Sequence, residues 1–520
     1  MLYRVVDLSL PVTPQRGLSA PPLPPEIEPS GPERSRKSIQ QICRVLPHRF
    51  DDYPDEFGLD VWLGDSVPHS HAEGLLVNKV TILDEVPASQ RWAIRDMAAL
   101  PAAEFVREAA VIDLSQDDHE GPIPASLLRK RAGALRYGDY VLLRTDFPKR
   151  FRGKLSEVEY RRRLPGLTME AGRWLVESRG VVGIAADCLV DHISTWGQVH
   201  TYFYTHAVLM IDDMINFDRL PEDRVFFNGG VALRSAGVGS SPARPIALAP
   251  TGGHLGGAGI VDLWRPLAPV TGPVLQGRRE DFRRKEPYAL QGDIQKRYAV
   301  TGLQIAFEAE EEERRLAAGD PRPQRDFGSP VRLFSGALGT YLEVPYMPLA
   351  GGEIPATHFT DCAHVPSGSL VGNGRLLDLT HIGPRQVITA ADLAAACPNL
   401  QAGEIPLIWT AFTDFYYARP DFLELSPGFS EEAIEWLIQR QIRLLVTDTA
   451  TVEPGRVIPP PPKHNLARLF AANIPVVRCA TNLWRLQRPA AVVMVSPVPF
   501  VGAPMMPARV VAVEEWSSMA

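Results

Sequence analysis

The chain reads as two tandem α/β domains, and three observations predict this. Short β-branched runs alternate with amphipathic helical segments, which is the pattern of an α/β fold. Its 520 residues exceed what one core normally organises, and a prior of about 150 residues per domain allows two to four. Segments of the first half also return in the second, in the same order. Val111-Ile112-Asp113-Leu114-Ser115 returns as Leu376-Leu377-Asp378-Leu379-Thr380. Pro165-Gly166-Leu167-Thr168-Met169-Glu170-Ala171 returns as Pro427-Gly428-Phe429-Ser430-Glu431-Glu432-Ala433. Trp174 answers to Trp436, Asn216 to Asn482, and Pro242-Ala243-Arg244 to Pro507-Ala508-Arg509. Near the start of each half, Phe57 and Val67-Pro68 match Phe334 and Val344-Pro345. Offsets of 262 to 277 residues make the period a whole domain, which predicts a duplication with domains at 1–262 and 275–520 and excludes a solenoid.

Taken in order, residues 3–10 alternate as a strand, and the Pro-rich stretch 11–32 reads as an irregular arm. Residues 140–144 read as a buried strand. Residues 168–178 open on Thr168, carry Glu170 in the first turn and turn apolar at Ala171, Trp174 and Leu175, the signature of a capped helix. A strand at 181–186 follows, and the same pair recurs as a helix at 430–439 and a strand at 442–447. Trp174 and Trp436 read as core. Between the repeats, the glycine-rich residues 252–257 read as a flexible linker. The charged stretch 276–315, with Glu308 and Glu310 to Glu313, reads as a solvated helix face.

The charge balance, 61 acidic against 54 basic residues for a net −7, contains no basic stripe and excludes nucleic acid and anionic membrane as partners. A small-molecule substrate remains. Five cysteines, odd in number and without a CxxC pair, fit reduced thiols better than a disulfide frame or zinc knuckle. The N-terminus meets Arg4 and Asp7 before an apolar core can form, and no apolar run approaches the roughly 18 residues of a membrane span. A cytoplasmic location is the expectation.

In the order and spacing of its segments the chain resembles the putative cyclase family, metal-dependent hydrolases and cyclases that include bacterial kynurenine formamidases and isatin hydrolases. Val5-Val6-Asp7-Leu8-Ser9-Leu10-Pro11, Val111 to Ser115, Gly138-Asp139-Tyr140-Val141-Leu142-Leu143-Arg144-Thr145 and Ser240-Ser241-Pro242-Ala243-Arg244 carry it in the first half. The resemblance implies two cyclase-like swivelling β/β/α domains forming a pseudo-two-fold dimer within one chain, with a homo-oligomer beyond it left open.

Members of the family carry an early H-x-G-T-H-x-D-x-P-x-H segment, then a His followed twelve residues later by Glu, with N-L four residues further on. The resemblance gives these groups one or two divalent ions to hold, and gives the segment's last His a role in proton transfer. In the first half His200 and Asp212 fall on the later pair, with Asn216 after them. Setting Val67-Pro68 on the x-P of the early segment puts Asp60 at its first His, Gly64 at the second, Ser66 at the Asp and Ser70 at the last His. A slip of one residue recruits His69 or His71 instead. The implied metal set is Asp60, His200 and Asp212 around one Zn, Mn or Mg ion, and the implied catalytic set is His200, Asp212 and His71. A metal-free remnant is the alternative.

In the second half Gly339-Thr340-Tyr341-Leu342-Glu343-Val344-Pro345-Tyr346-Met347 follows the early segment, with Ala337, Tyr341, Glu343 and Met347 at the ligand positions. Leu466 and Arg478 stand at the later pair, followed by Asn482-Leu483. Alanine, methionine and leucine do not bind a hard dication, so this repeat is expected to be metal-free. The Arg478 guanidinium is then expected in the space of the ion, paired with Glu343 beside Tyr341, unless it points to solvent.

Three functional readings stay open. The first is a hydrolase or cyclase acting in repeat 1 on a small amide, lactam, ester or polyketide-like substrate. The second is a metal-independent cyclase, dehydratase or isomerase with His200 and Asp212 as acid and base. The third is a non-catalytic binding or scaffold protein.

Overall fold

The computed structural model describes residues 2–7, 61–63, 71–73, 100–262, 303–305, 331–333 and 339–516, the longer stretches with short interior breaks. They fall into two compact units. The N-half comprises Leu63–Lys285 with Ile305–Pro330, and the C-half comprises Val331–Ala520 with Met1–Trp62 and Glu286–Gln304.

The opening strand, β1 (Leu2–Asp7), belongs to the C-half. The N-half sheet is made of β2 (His71–Glu73), β3 (Val106–Asp113), β4 (Tyr140–Arg144), β5 (Gly183–Ala186), β6 (Leu209–Asp212), β7 (Arg224–Asn228), β8 (Ser240–Pro242), β9 (Ile246–Thr251) and β10 (His254–Asp262). Their spatial order is β8-β2-β6-β5-β4-β3-β7-β9-β10. The central strands β3 to β6 run parallel, and β2 and β7 flank them antiparallel.

Parallel strands need crossovers, and helices supply them. These are α1 (Ala125–Arg131), α2 (Phe147–Phe151), α3 (Met169–Arg173) and α4 (Gln198–Thr205). The Thr168 hydroxyl accepts the Ala171 N–H at 3.2 Å and starts α3, which continues through a π-type turn at Trp174–Ser178. Ala171 and Leu175 pack on Val141, Leu143 and Ile184 of the sheet and on Phe203 of α4, all fully buried. Each such aliphatic side chain contributes about 1.5–3 kcal/mol by leaving water.

The C-half repeats the plan. Its strands are β11 (Tyr341–Glu343), β12 (Val371–Asp378), β13 (Ile405–Trp409), β14 (Leu445–Thr447), β15 (Val476–Arg478), β16 (Ala490–Pro497) and β17 (Met505–Trp516). Its helices are α5 (Ala390–Ala396), α6 (Phe412–Tyr416), α7 (Glu431–Gln439) and α8 (Asn465–Ala471). The order is β1-β17-β11-β15-β14-β13-β12-β16, and β17 also pairs with β16, so the sheet closes on itself. Six strands therefore share order and direction across the units, β2-β6-β5-β4-β3-β7 answering to β11-β15-β14-β13-β12-β16.

Local details repeat as well. Asp113 and Asp378 each accept the N–H two residues on, from Ser115 at 2.8 Å and Thr380 at 3.0 Å. Asn216 and Asn482 adopt left-handed φ of 64° and 60° before equivalent 3-10 turns, a conformation asparagine tolerates better than most residues.

Several expectations need correction. The strand expected at 181–186 shortens to Gly183–Ala186, because the Val181 N–H turns back to the Leu175 carbonyl at 3.0 Å. That expected at 442–447 shortens to Leu445–Thr447, after the left-handed Gln441 (φ 51°). The glycine-rich linker is half of a hairpin: β10 pairs antiparallel with β9, from Thr251↔His254 to Ile246↔Asp262. Glycines 256, 257 and 259 extend there because a ladder needs only backbone groups. The strand near residue 3 pairs with β17, Leu2 opposite Trp516 and Asp7 opposite Val511. The arm at 11–32 and the charged stretch 276–315 lie outside the described residues, save a short strand at Leu303–Ile305. Among the described residues no helix is long and apolar enough to cross a membrane.

Gly230 carries a test of the N-half. Its φ is +61°, and a Cβ there would stand 1.9 Å from the Arg244 carbonyl oxygen, whose residue donates its N–H to the Gly230 carbonyl at 2.7 Å. Gly230→Ala is expected to cost about 2–3 kcal/mol, from left-handed strain and a collision with backbone. Urea unfolding would show it as a lower midpoint.

Candidate functional site

The carboxyl ends of the parallel strands carry the informative residues. Asp212 closes β6 and stands opposite His71 on β2, and His71 stands opposite Pro242 on β8. Glu73 lies opposite Met210 and Ser240. In the C-half Arg478 closes β15 opposite Tyr341, and Tyr341 stands opposite Pro507. Glu343 lies opposite Val476 and Met505. The two registers therefore equate His71 with Tyr341, Glu73 with Glu343, and Asp212 with Arg478.

This register differs from the alignment built on Val67-Pro68. That dipeptide precedes β2, whereas Val344-Pro345 directly follows β11. A two-residue match is too short to fix register when the preceding loops differ. The H-x-D part of the early segment thus falls on His71-Ala72-Glu73. Asp60, Gly64, Ser66, His69 and Ser70 lie outside the described residues, as do the side chains of His71, Glu73 and His200; His200 itself is a residue of α4.

Asp212 is buried, and its Oδ1 accepts the Val190 N–H at 3.0 Å. Burial first, and the charge of Asp212 second, push the Tyr140 hydroxyl well above its ordinary range. Burial also pushes the Cys188 thiol up, helped by Asp187 and Asp212. Both groups therefore stay neutral beside the acids.

Asp187, just beyond β5, was not legible as a site residue, and neither was Asp448 just beyond β14. Burial raises each to about 7, against hydrogen bonds from Thr145 and Asp146 in one case and Thr410 and Phe412 in the other. Their spacing of 261 residues, next to the 262 of Trp174 and Trp436, was the available signal.

In the C-half the structure brings the three singled-out residues together. Arg478 and Glu343 form an ion pair between Nη2 and Oε2, with side chains 0% and 2% exposed. Arg478 Nη1 donates to the Tyr341 hydroxyl at 3.3 Å, and the guanidinium carbon lies 5.8 Å from the Tyr341 ring centre. Tyr341 belongs to a buried cluster with Phe412, Tyr417, Phe422, Ala450, Cys479 and Met505. Leu466 is fully buried in α8.

These surroundings decide where a divalent ion fits. The C-half does not suit one, because a guanidinium already neutralises Glu343 and Leu466 offers no donor atom. In the N-half Asp212 is a buried carboxylate, with His71 and Glu73 on the neighbouring strand by backbone register and His200 a residue of α4, residue types that can ligate a divalent ion. Among the described residues no three His, Cys, Asp or Glu side chains converge as a metal group.

Among the described residues, two further histidines have structural partners. His206 Nδ1 meets the Tyr202 carbonyl at 2.7 Å, its ring lies 4.2 Å from that of Tyr202, and His381 meets Asp392 at 3.4 Å. Trp174 is core, and Trp436 packs partly buried against its own core cluster.

No curated protein sequence matches the chain. Among solved structures, it is similar to isatin hydrolase A from Ralstonia solanacearum, at 23% identity over 35% of this chain and 73% of that one, with a TM-score of 0.31. Isatin hydrolase A from Labrenzia aggregata bound to benzyl benzoate gives 23% identity over 36% and 75%, with a TM-score of 0.31. A protein described as a "predicted metal-dependent hydrolase" from Bacillus stearothermophilus gives 25% over 36% and 81%, with a TM-score of 0.28. The sequence model of the Cyclase family, described as "Putative cyclase", matches residues 65–191 and 282–454, together more than half of the chain, and the chain belongs to that family.

Proposed function

We propose that the N-half is a metal-dependent hydrolase or cyclase site for a small amide, lactam, ester or polyketide-like substrate, and that the C-half is its duplicated, metal-free counterpart with degenerate motifs. The observation that carries this reading is the shared register, in which His71 and Asp212 are cross-strand partners as Tyr341 and Arg478 are. The shared order of six strands supports the duplication.

Under this reading His71, Glu73, His200 and Asp212 hold one Zn, Mn or Mg ion, and Asp60 drops out of the set. His71 is the register partner of Asp212, with Glu73 two residues on along β2, which supports their acting together. The bound ion would supply Lewis-acid polarisation of a substrate carbonyl. Asp212 has its orientation set by the Val190 amide.

Metal analysis of the whole chain, purified without chelator, tests the reading. The expected result is about one divalent ion per chain, lost in His71→Ala and in Asp212→Asn and kept in Glu343→Gln. Full metal content in His71→Ala would overturn the ligand set. Turnover of amides, lactams or esters that survives EDTA but not His200→Ala would favour a metal-free acid/base enzyme, and binding without turnover would favour a scaffold.

A further inference from the structure

Each sheet is finished at one end by a strand whose sequence marks it as the opening of the other repeat. In the C-half that strand is β1, whose Val5, Val6 and Asp7 stand opposite Val513, Ala512 and Val511 of β17. In the N-half it is β10, whose Ile260, Val261 and Asp262 stand opposite Leu248, Ala247 and Ile246 of β9. Both ladders are antiparallel, and β1 and β10 stand at the ends of their sheets.

The accepting strands correspond residue for residue. The offset of 265 residues that carries Pro242 to Pro507 also carries Ile246-Ala247-Leu248 to Val511-Ala512-Val513. Leu248 pairs with Phe226 of β7 as Val513 pairs with Val492 of β16. Phe226 and Val492 pair in turn with Glu108 of β3 and Asn373 of β12, again 265 apart. Through this register Val5, Val6 and Asp7 answer to Ile260, Val261 and Asp262. The sequences agree independently, since Val5-Val6-Asp7-Leu8 and Ile260-Val261-Asp262-Leu263 differ only in Val for Ile. The first segment precedes every strand of the N-half, and the second precedes β11 and every later strand of the C-half, where an opening strand belongs.

We infer that the two repeats exchange their opening strands within one chain: β1, which opens repeat 1, completes the C-half sheet, and the strand ending at Asp262, which opens repeat 2, completes the N-half sheet. The inference rests on the duplication and not on the metal site, and it moves the start of repeat 2 from 275 into β10. A strand joins an antiparallel edge through backbone groups, so two edges of matching register accept two matching strands equally well, and exchanging them costs little. The exchange gives the metal-free repeat a task. It supplies the strand that covers an edge of the N-half sheet, an edge otherwise open to other chains.

Cysteine cross-linking of the full chain tests the exchange. Val5→Cys with Val513→Cys, and Ile260→Cys with Leu248→Cys, are expected to form disulfides within one chain on mild oxidation. Residues opposite each other in an antiparallel ladder have Cα atoms about 4.5–5.5 Å apart, within a disulfide's reach. Val5→Cys with Leu248→Cys is expected to form none. Peptide mapping separates these links from those of the native thiols, and gel mobility shows whether they join one chain or two. A link in the Val5→Cys, Leu248→Cys variant, no link in either designed pair, or links that join two chains overturn the proposal. Val5→Pro with Val6→Pro gives a second readout, since one of two successive residues must lose a ladder bond. Hydrogen–deuterium exchange is expected to show protection about tenfold lower at 511–516 and unchanged at 246–251. Loss at 246–251 instead, or at neither, overturns it as well. None of these readouts depends on bound metal, so failure of the metal reading leaves them unchanged.

Discussion

Replacing Arg478 by leucine is expected to destabilise the C-half by about 3–5 kcal/mol, the range for removing one partner of a buried ion pair. The guanidinium is wholly inaccessible and its carboxylate partner nearly so. Without it, Glu343 must either keep an unpaired charge away from water or take up a proton, and Tyr341 loses the donor to its hydroxyl. Leucine fills much of the volume, so the loss reads out electrostatics more than packing. Exchanging both partners, Arg478→Leu with Glu343→Met, is expected to recover most of the stability, since replacing a buried ion pair by apolar groups is often neutral or better. Thermal unfolding of the single and double variants decides it. An unchanged midpoint for the single variant would mean that the pair adds nothing, and that the C-half site eroded without replacement.

Unfolding free energy is also expected to fall as pH rises from about 4 to about 7. Asp187 and Asp448 titrate near 7 in the folded chain, against an ordinary value of 3.8. Between those values the folded state binds more protons than the unfolded one, so stability declines with rising pH. The contribution is fully present below the unfolded value and lost once pH passes the folded one. At about 1.4 kcal/mol per unit, a shift of roughly three units is worth about 4 kcal/mol for each acid. A neutral acid is spared the desolvation cost of burial. Asp117 and Glu120, held low by Arg131 and Arg163, act with the opposite sign at the acid end of this window, and His192, whose charged form burial disfavours, opposes the decline near its ordinary value of 6.5. Urea titrations at several pH values should show the decline, and Asp448→Asn should remove about half of it. A wild-type stability that rises from pH 4 to 7 would contradict the burial argument.

What the sequence made legible was local. Thr168 and Ser430 head their helices because a hydroxyl before an acidic first turn satisfies free N–H groups. The run at 140–144 forms a strand because it is apolar throughout and sits between parallel neighbours. The Arg478–Glu343 contact was legible because charge had changed sign at a position the family reserves for a ligand. Register was the obscure part. His71 and Glu73 sit on a three-residue strand whose alternation is too short to read, and only its partners β6 and β8 fix its place. The hairpin at 254–262 was hidden by its glycines, which carry no side-chain pattern. Asp187 and Asp448 were passed over because a lone acid at a strand end gives no sign of burial until the neighbouring turn folds over it.

The pairing of β1 with β17 sets an order of events for biosynthesis. The two strands are separated by almost the entire chain, Leu2 lying opposite Trp516, whereas nearly all of the N-half sheet comes from one continuous stretch. On the ribosome the N-half can complete its core while hundreds of residues are still to be made. β1 must wait, unpaired, for a partner that emerges hundreds of residues later. Long-range closure of this kind is slow, and an unpaired strand edge is open to other chains meanwhile. In β1 the acid Asp7 and the base Arg4 interrupt the apolar run, which is the composition that keeps a waiting edge from pairing wrongly.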